Sequence, residues 1–318
     1  MDACDGLEFA SIEKVAVERV TVTGPWAWDV RLNQLSPGSF HSKLQILRSS
    51  DLALHEQYWQ RSVEVVGTTS KYAIMIGGSL TWRKARHEWC GTTLNNRRFA
   101  CAAPGTAIDF KSPDDGRHIV MQVKPDILVK ALGQEAVDLL LGKQCIEFKA
   151  VDGQRLTTLM TGIIRAYANN THLVEDQYYF RSQKSLLLSI LGDCIANADQ
   201  TVRTVTGSQR ITAVRRAMKY VENCDGPVTA LELAVAARVS QRTLEYAFKE
   251  KLKMTPAAYL RIYRLNAAHR DLLAADPKTS TVTSIALKWG FSHPGRFSSI
   301  HRKMFNEAPS EALRKVGT

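Results

Sequence analysis

The sequence predicts an α+β chain in two parts: a β-barrel with trailing helices over residues 1–200, and an all-α domain of two similar helical units joined by a long helix over residues 208–318. Three observations predict this. Residues 15–125 alternate short apolar runs with Gly, Pro, Asn and Asp clusters, the mark of short strands and turns. After Lys124-Pro125 the apolar spacing changes to the helical 3.6 period. The last third contains one pattern twice. At 318 residues and 45% hydrophobic, the chain is long enough to bury a core in each part.

In chain order, the runs VERVTV, WAWDVRL, KLQILR, QYWQRSVEVVG, KYAIMIGGSL, RRFACAAP and HIVMQV read as strands. Short strands at this spacing build a barrel or a sandwich. Helices are expected at 125–132, 134–141, 156–168 and 178–198. The last carries Leu186, Leu187, Ile190, Leu191, Cys194 and Ile195, a broad apolar stripe that core packing and a homodimer helix explain equally well.

A helix over 210–222 then opens the C-terminal part, with Ile211, Val214, Met218 and Val221 on one face. Beyond it the two copies superimpose. Leu233-Ala234 answers Ile285-Ala286 and Val239-Ser240 answers Phe291-Ser292, both at an offset of 52; past that point one extra residue sets Leu244 against Phe297 and Thr255-Pro256 against Ala308-Pro309. Each copy reads as helix, tight turn, helix. In the first, Thr229 caps a helix with Leu231, Leu233 and Val235 inward, Arg238-Val239 turns, and Ser240 caps a helix that buries Leu244, Ala247, Phe248 and Leu252. Gln241, Arg242, Glu245, Tyr246 and Lys249 are left facing out. In the second, Gly290 turns without strain, Ser292 caps, and Phe297, Ile300, Met304 and Phe305 pack inward. His293, Arg296, Ser298, Ser299 and Arg302 line the outer face. Between the copies, Thr255 as cap and Pro256 at the first helical position start a long helix to about Ala274. Two such units on a rigid connector can present exposed helices to successive major grooves, about 34 Å apart.

The segments LAVAARVSQRTLEYAFKEKLKMTPAAYLRIYRLNAAHRDLL and IALKWGFSHPGRFSSIHRKMFNEAPSEALR resemble the AraC family of bacterial transcription regulators, over roughly residues 210–316. The resemblance implies double-stranded promoter DNA as partner. Gln241, Arg242, Glu245, Tyr246 and Lys249 would form one reading set, and His293, Arg296, Ser298, Ser299 and Arg302 the other. Pro294-Gly295 stands where longer polar side chains are often found. By analogy with the family, the N-terminal part would be a cupin-like sensor barrel with dimerisation helices, the protein a homodimer and an activator, and RNA polymerase a further partner.

Charge agrees with this division. The first 200 residues hold 22 basic and 22 acidic side chains, whereas the last 118 hold 20 and 9, so the whole excess of +11 lies at one end. That distribution suits a polyanion, or a solvated helical surface. Six scattered cysteines without a CxxC suit reduced thiols in a cytoplasmic protein. No signal peptide and no apolar run of membrane-spanning length is expected.

No GxSxG, P-loop or HExxH is present, so no enzyme is expected. No cofactor or metal is expected either: His87 with Cys90 and Cys101 is too loosely spaced for zinc. The candidate effector site is SLTWRKARHEW with the arginines that follow: Ser79, Trp82, Arg83, Lys84, Arg86, Trp89, Arg97 and Arg98. Five of the 22 N-terminal basic residues fall within 16 positions there, beside two tryptophans. Guanidinium groups next to indoles suit phosphates and planar bases, which makes an anionic nucleotide such as cyclic di-GMP the candidate effector. The likeness to PilZ domains, which bind that nucleotide, is partial, since the arginines are spaced RxxR. Strand alternation would also split these residues between two faces. A small metabolite (sugar, amine or aromatic) stays open as the effector. So does a different class, a nucleotide-binding protein or enzyme whose basic tail tethers it to DNA without specificity.

Overall fold

A computed structural model describes residues 7–14, 24–83, 86–142, 144–198, 209–224 and 226–315. The expected strand VERVTV lies outside the described residues. The chain divides into two compact units: residues 1–32 with 40–204, and residues 33–39 with 205–318.

The first unit has three layers. A seven-stranded sheet has the order β1(Glu8–Lys14), β3(Ser42–Arg48), β4(Leu52–Trp59), β11(Gly116–Val123), β6(Ile74–Ser79), β9(Arg98–Ala102), β12(Cys145–Glu147). A five-stranded sheet has the order β2(Asp29–Gln34), β5(Val63–Thr68), β10(Ala107–Ser112), β7(Glu88–Trp89), β8(Thr92–Thr93). The third layer is helical: α1(Pro125–Leu132), α2(Gln134–Leu141), α3(Ala150–Asn169) and α4(Gln177–Ala196). The expected closed barrel is therefore two separate sheets. The chain passes from one to the other between Trp59 and Val63, within a stretch the sequence reads as a single strand.

Alternation explains the layering. On β11, Ile119, Met121 and Val123 join the core against the helices, while Val120 joins the core between the sheets. On β6, Ile74 and Ile76 take the helix side and Met75 the sheet side. The stripe on α4 is spent within this unit: Leu187, Ile190, Leu191, Cys194 and Ile195 are buried in the same core as Leu47, Ile164 and Tyr167. Only Leu186 of the predicted stripe stays exposed.

The second unit is helical: α5(Gln209–Glu222), α6(Ala230–Ala237), α7(Gln241–Leu252), α8(Pro256–Ala274), α9(Val282–Lys288), α10(Pro294–Phe305) and α11(Pro309–Arg314). The repeat is carried by backbone geometry. Thr229 and Thr281 both close capping boxes, with Glu232 and Ser284 respectively. Arg238 and Gly290, 52 residues apart, both take left-handed φ, 57° and 76°. From there on the copies run one residue further apart: caps Ser240 and His293, left-handed C-caps Lys253 and Asn306, and helix-starting Pro256 and Pro309. The insertion thus falls in the turn of the second copy, and the cap of α10 is His293 rather than the expected Ser292, because Pro294 fixes the first helical position.

On α6 the burial differs from expectation. Leu233, Ala234 and Ala237 are buried, while Leu231 and Val235 are 59% and 70% exposed. Residues four apart share a helix face, so 231 and 235 go together to the side opposite 233 and 237. Residues 33–39 also pack within this unit: Asn266, fully buried on α8, accepts from Gln34 N at 2.8 Å and donates to Gln34 O at 2.9 Å.

Candidate nucleic-acid interface

α7 and α10 are the second helices of the two copies, and each is amphipathic. On α7, Leu244, Ala247 and Phe248 are buried, leaving Gln241, Arg242, Glu245, Tyr246 and Lys249 exposed together. On α10, Phe297, His301, Met304 and Phe305 are buried, while His293, Arg296, Ser299 and Arg302 are exposed. Ser298 is half-buried, and its hydroxyl donates to Pro294 O at 2.9 Å, the ordinary back-bond of a helical serine.

The inward side of α10 is fixed by rings. His269 of α8 lies 3.0 Å from His301 through Nδ1 and Nε2, and stacks on Phe305 with centroids 3.9 Å apart. Burial lowers His269 to about 3 and His301 to about 4, so both are neutral packing groups rather than phosphate contacts. The cations that remain on the outer faces are Arg242 and Lys249 on α7, and Arg296, Arg302 and Lys303 on α10. Glu250 on α7 is engaged by Arg210 at 2.6 Å and Lys251 at 3.2 Å, which removes its charge from competition with a phosphate. Two outward helices with cations and hydrogen-bonding side chains, each behind a left-handed turn, have the chemistry for reading a major groove.

Residues 233–315 match a family described as a helix-turn-helix domain. The C-terminal unit thus carries a helix-turn-helix domain. Over 214 residues the chain is 31% identical to the "Probable thc operon regulatory protein" of Rhodococcus erythropolis, covering 67% of this chain and 64% of that protein. It is 36% identical over 109 residues to "Regulatory protein HrpB" of Ralstonia nicotianae, covering 33% and 23%. It is 26% identical over 194 residues to "XylDLEGF operon transcriptional activator 3" of Pseudomonas putida, covering 56% of each. The chain therefore spans less than two thirds of the length of these relatives.

Outside that domain, the predicted effector residues that the structure describes lie in different settings. Arg83 is exposed, with its guanidinium 5.0 Å from the Trp82 ring centre, and Arg86 is exposed as well. Arg97 and Arg98 both bind Glu147, at 3.4 and 2.9 Å. Ser79 is buried with its hydroxyl 2.9 Å from His87 Nδ1. Trp89 is buried between the sheets. Lys84 lies outside the described residues. Arg83 and Arg86 thus lie between β6 and β7, off any strand, while Arg97 and Arg98 share the Glu147 carboxylate.

A cavity does lie between the two sheets. Trp28, Trp59, Trp89 and Phe110 line it with His55, Gln57, His118 and Gln122, and its volume is about 80 Å³. The sequence carried a signal for it that the reading missed: on β4 the polar or aromatic positions 55, 57 and 59, and on β11 the polar positions 118 and 122, share an inward face where an ordinary core would be aliphatic. Burial lowers His55 to about 4; burial and then the charges of His87 and His55 push His118 well below its ordinary value. Among the described residues no three potential metal ligands cluster, and no helix is long and apolar enough to cross a membrane.

Proposed function

We propose that the chain is a sequence-specific, promoter-binding transcription regulator of the activator type, governed by a small molecule held in its N-terminal unit. The carrying observation is the doubled helix-turn-helix geometry, in which both second helices turn polar side chains outward while their buried sides pack on α8 and its neighbours. A single basic helix would serve for non-specific attachment. Two such helices, with Gln241, Glu245, Tyr246 and Ser299 among the exposed groups, also supply hydrogen-bond acceptors, which a phosphate cannot use and a base edge can. Carboxylates such as Glu245 oppose phosphate binding, and their place on a reading face suits contact with a base edge.

The test is selection of a random DNA pool by the full chain, followed by competition between the enriched sequence and bulk DNA across a salt series. Enrichment of a motif with two elements about one helical turn apart is expected. Equal affinity for all sequences would overturn the reading and favour a basic tether. Activation is read from transcription on a template bearing the enriched motif.

A further inference from the structure

We infer that the cavity between the two sheets of the N-terminal unit binds a compact, uncharged, planar molecule that presents hydrogen-bond acceptors to the indole N–H groups of Trp59 and Trp89. The inference rests on the reading of that unit as the effector-holding part of a regulator, and gives the effector its chemical class.

Polar accounting comes first. Trp28 Nε1 donates to Gln122 Oε1 at 2.8 Å, and Gln122 Nε2 donates to Trp26 O at 3.2 Å, so those groups are satisfied within the protein. Trp59 Nε1, Trp89 Nε1, His55 Nδ1 and His118 Nδ1 are buried without a partner. Buried polar groups are ordinarily paired, and four unpaired nitrogens on residues around one cavity are a set of contacts awaiting an occupant. An indole N–H can only donate, so the occupant must accept; a neutral imidazole nitrogen can take either role.

Charge narrows the class. Among the described residues that line the cavity there is no Lys, Arg, Asp or Glu. A carboxylate, phosphate or ammonium placed there would lose its water with no counter-charge in return. Shape narrows it again. The Trp59 and His118 rings lie 4.8 Å apart, and Phe110 stands 6.1 Å from Trp59 and 6.3 Å from Trp89, so the walls are ring faces and edges that favour a flat guest. At about 80 Å³ the space is roughly half of the ~150 Å³ cavity that admits benzene, so it takes a guest of at most one ring, and that only as the side chains around it move outward. A dinucleotide is excluded on both size and charge.

The experiment uses the full chain and three isosteric probes: benzamide and acetophenone, which are uncharged acceptors, and benzoate, which is an anion. Isothermal titration should show saturable binding of a neutral probe and at least about tenfold weaker binding of benzoate. Trp59→Phe and Trp89→Phe keep an aromatic ring and remove one donor, and each should weaken the neutral probe by about fivefold. Benzoate binding as tightly as the neutral probes, no saturation by either neutral probe, or unchanged affinity in both Phe variants would each overturn the inference. If a variant fails to fold, the comparison of neutral probe with benzoate on the unaltered chain decides alone. DNA selection by the same protein separates the two levels: an enriched motif with no probe binding sinks the ligand class and leaves the regulator standing.

Discussion

Ser79 Oγ lies 2.9 Å from His87 Nδ1, and both residues are buried. On the other side of the ring, His87 Nε2 is 3.2 Å from Ser112 Oγ, and Ser112 in turn reaches Pro113 O at 3.4 Å. One tautomer satisfies the chain: Ser79 donates to Nδ1, Nε2–H donates to Ser112, and Ser112 donates to the carbonyl, an assignment made from the network. The ring also stacks on Phe110, with centroids 5.6 Å apart and planes 11° from parallel. His87 is thereby a neutral pin joining β6, the start of β7 and β10, and the one O–H donor of Ser79 is used within the protein.

Acid should unfold the N-terminal unit for this reason. Burial lowers His87 and His55 from 6.5 to about 4, and holds His118 well below its ordinary value. With folded values below the unfolded ones, the unfolded chain binds more protons, so the stability is complete above 6.5 and is lost as pH falls toward 4. A depression of that size corresponds to about 3 kcal/mol per histidine. Denaturant midpoints should fall steeply across this window, and His87→Gln should lower stability at neutral pH yet flatten the slope. An unchanged slope in His87→Gln would show that this ring does not set the acid limit.

What the sequence revealed and what it hid follow from how local each feature is. The two helical copies were legible because their signals are local: caps, turn residues and a 3.6 period all fall within a dozen residues. The bounds of α1 and α2 were readable at Pro125 and Gly133 for the same reason. The split into two sheets was not legible, since β4 and β5 look like one run and only long-range pairing shows that β4 joins β11 while β5 joins β10. The stripe on α4 was ambiguous because the pattern says that a face is buried, without saying against what. For the arginines, the sequence shows that Arg97 and Arg98 are neighbours, whereas their shared partner Glu147, about fifty residues away, shows only in the fold. In the second copy, the inserted residue moved the cap from the chemically obvious Ser292 to His293.

The two capping boxes should be worth similar amounts despite different chemistry. Glu232 N donates to Thr229 Oγ1 at 3.2 Å and Thr229 N to Glu232 Oε2 at 2.7 Å; in the second copy Ser284 N donates to Thr281 Oγ1 at 3.1 Å and Thr281 N to Ser284 Oγ at 3.2 Å. Thr229→Ala and Thr281→Ala should each cost ~1 kcal/mol in chemical denaturation. Because Glu232 is an anion at a helix N-terminus, the cost of Glu232→Ala should shrink with added salt, whereas that of Ser284→Ala should not. Equal salt sensitivity in both would contradict the electrostatic part.

The turns of the two copies make a second matched pair. Arg238 holds φ 57° with a side chain, whereas Gly290 holds φ 76° without one. A left-handed non-glycine residue carries ~1–2 kcal/mol of strain, and glycine gives back ~0.5–1 kcal/mol in unfolded-state entropy. Arg238→Gly should therefore stabilise the chain slightly. Gly290→Ala should destabilise it by more than the strain alone, because the new Cβ would meet Pro227 Cβ at 3.0 Å and an Arg264 guanidinium nitrogen at 3.2 Å. Thermal midpoints moving in opposite directions for these substitutions would support the account; a gain from Gly290→Ala would refute it.

Under the proposed function, Arg296 is the residue that tests how the second copy would meet DNA. It is exposed in the first turn of α10, after two residues, Pro294 and Gly295, that offer no polar side chain, so any base reading at this end of the helix falls to Arg296 and its neighbours His293 and Ser299. Arg302, also exposed, sits near the other end of the helix. Recognition helices contact bases mainly through their N-terminal residues, so the two arginines should differ in kind. Arg296→Ala should weaken binding to the selected sequence by ~1–3 kcal/mol and leave binding to random DNA nearly unchanged. Arg302→Ala should weaken both equally and make the salt slope shallower by about one, the loss of one phosphate contact. If Arg296→Ala instead lowers both affinities in parallel, α10 only anchors the protein, and sequence reading falls to α7 alone.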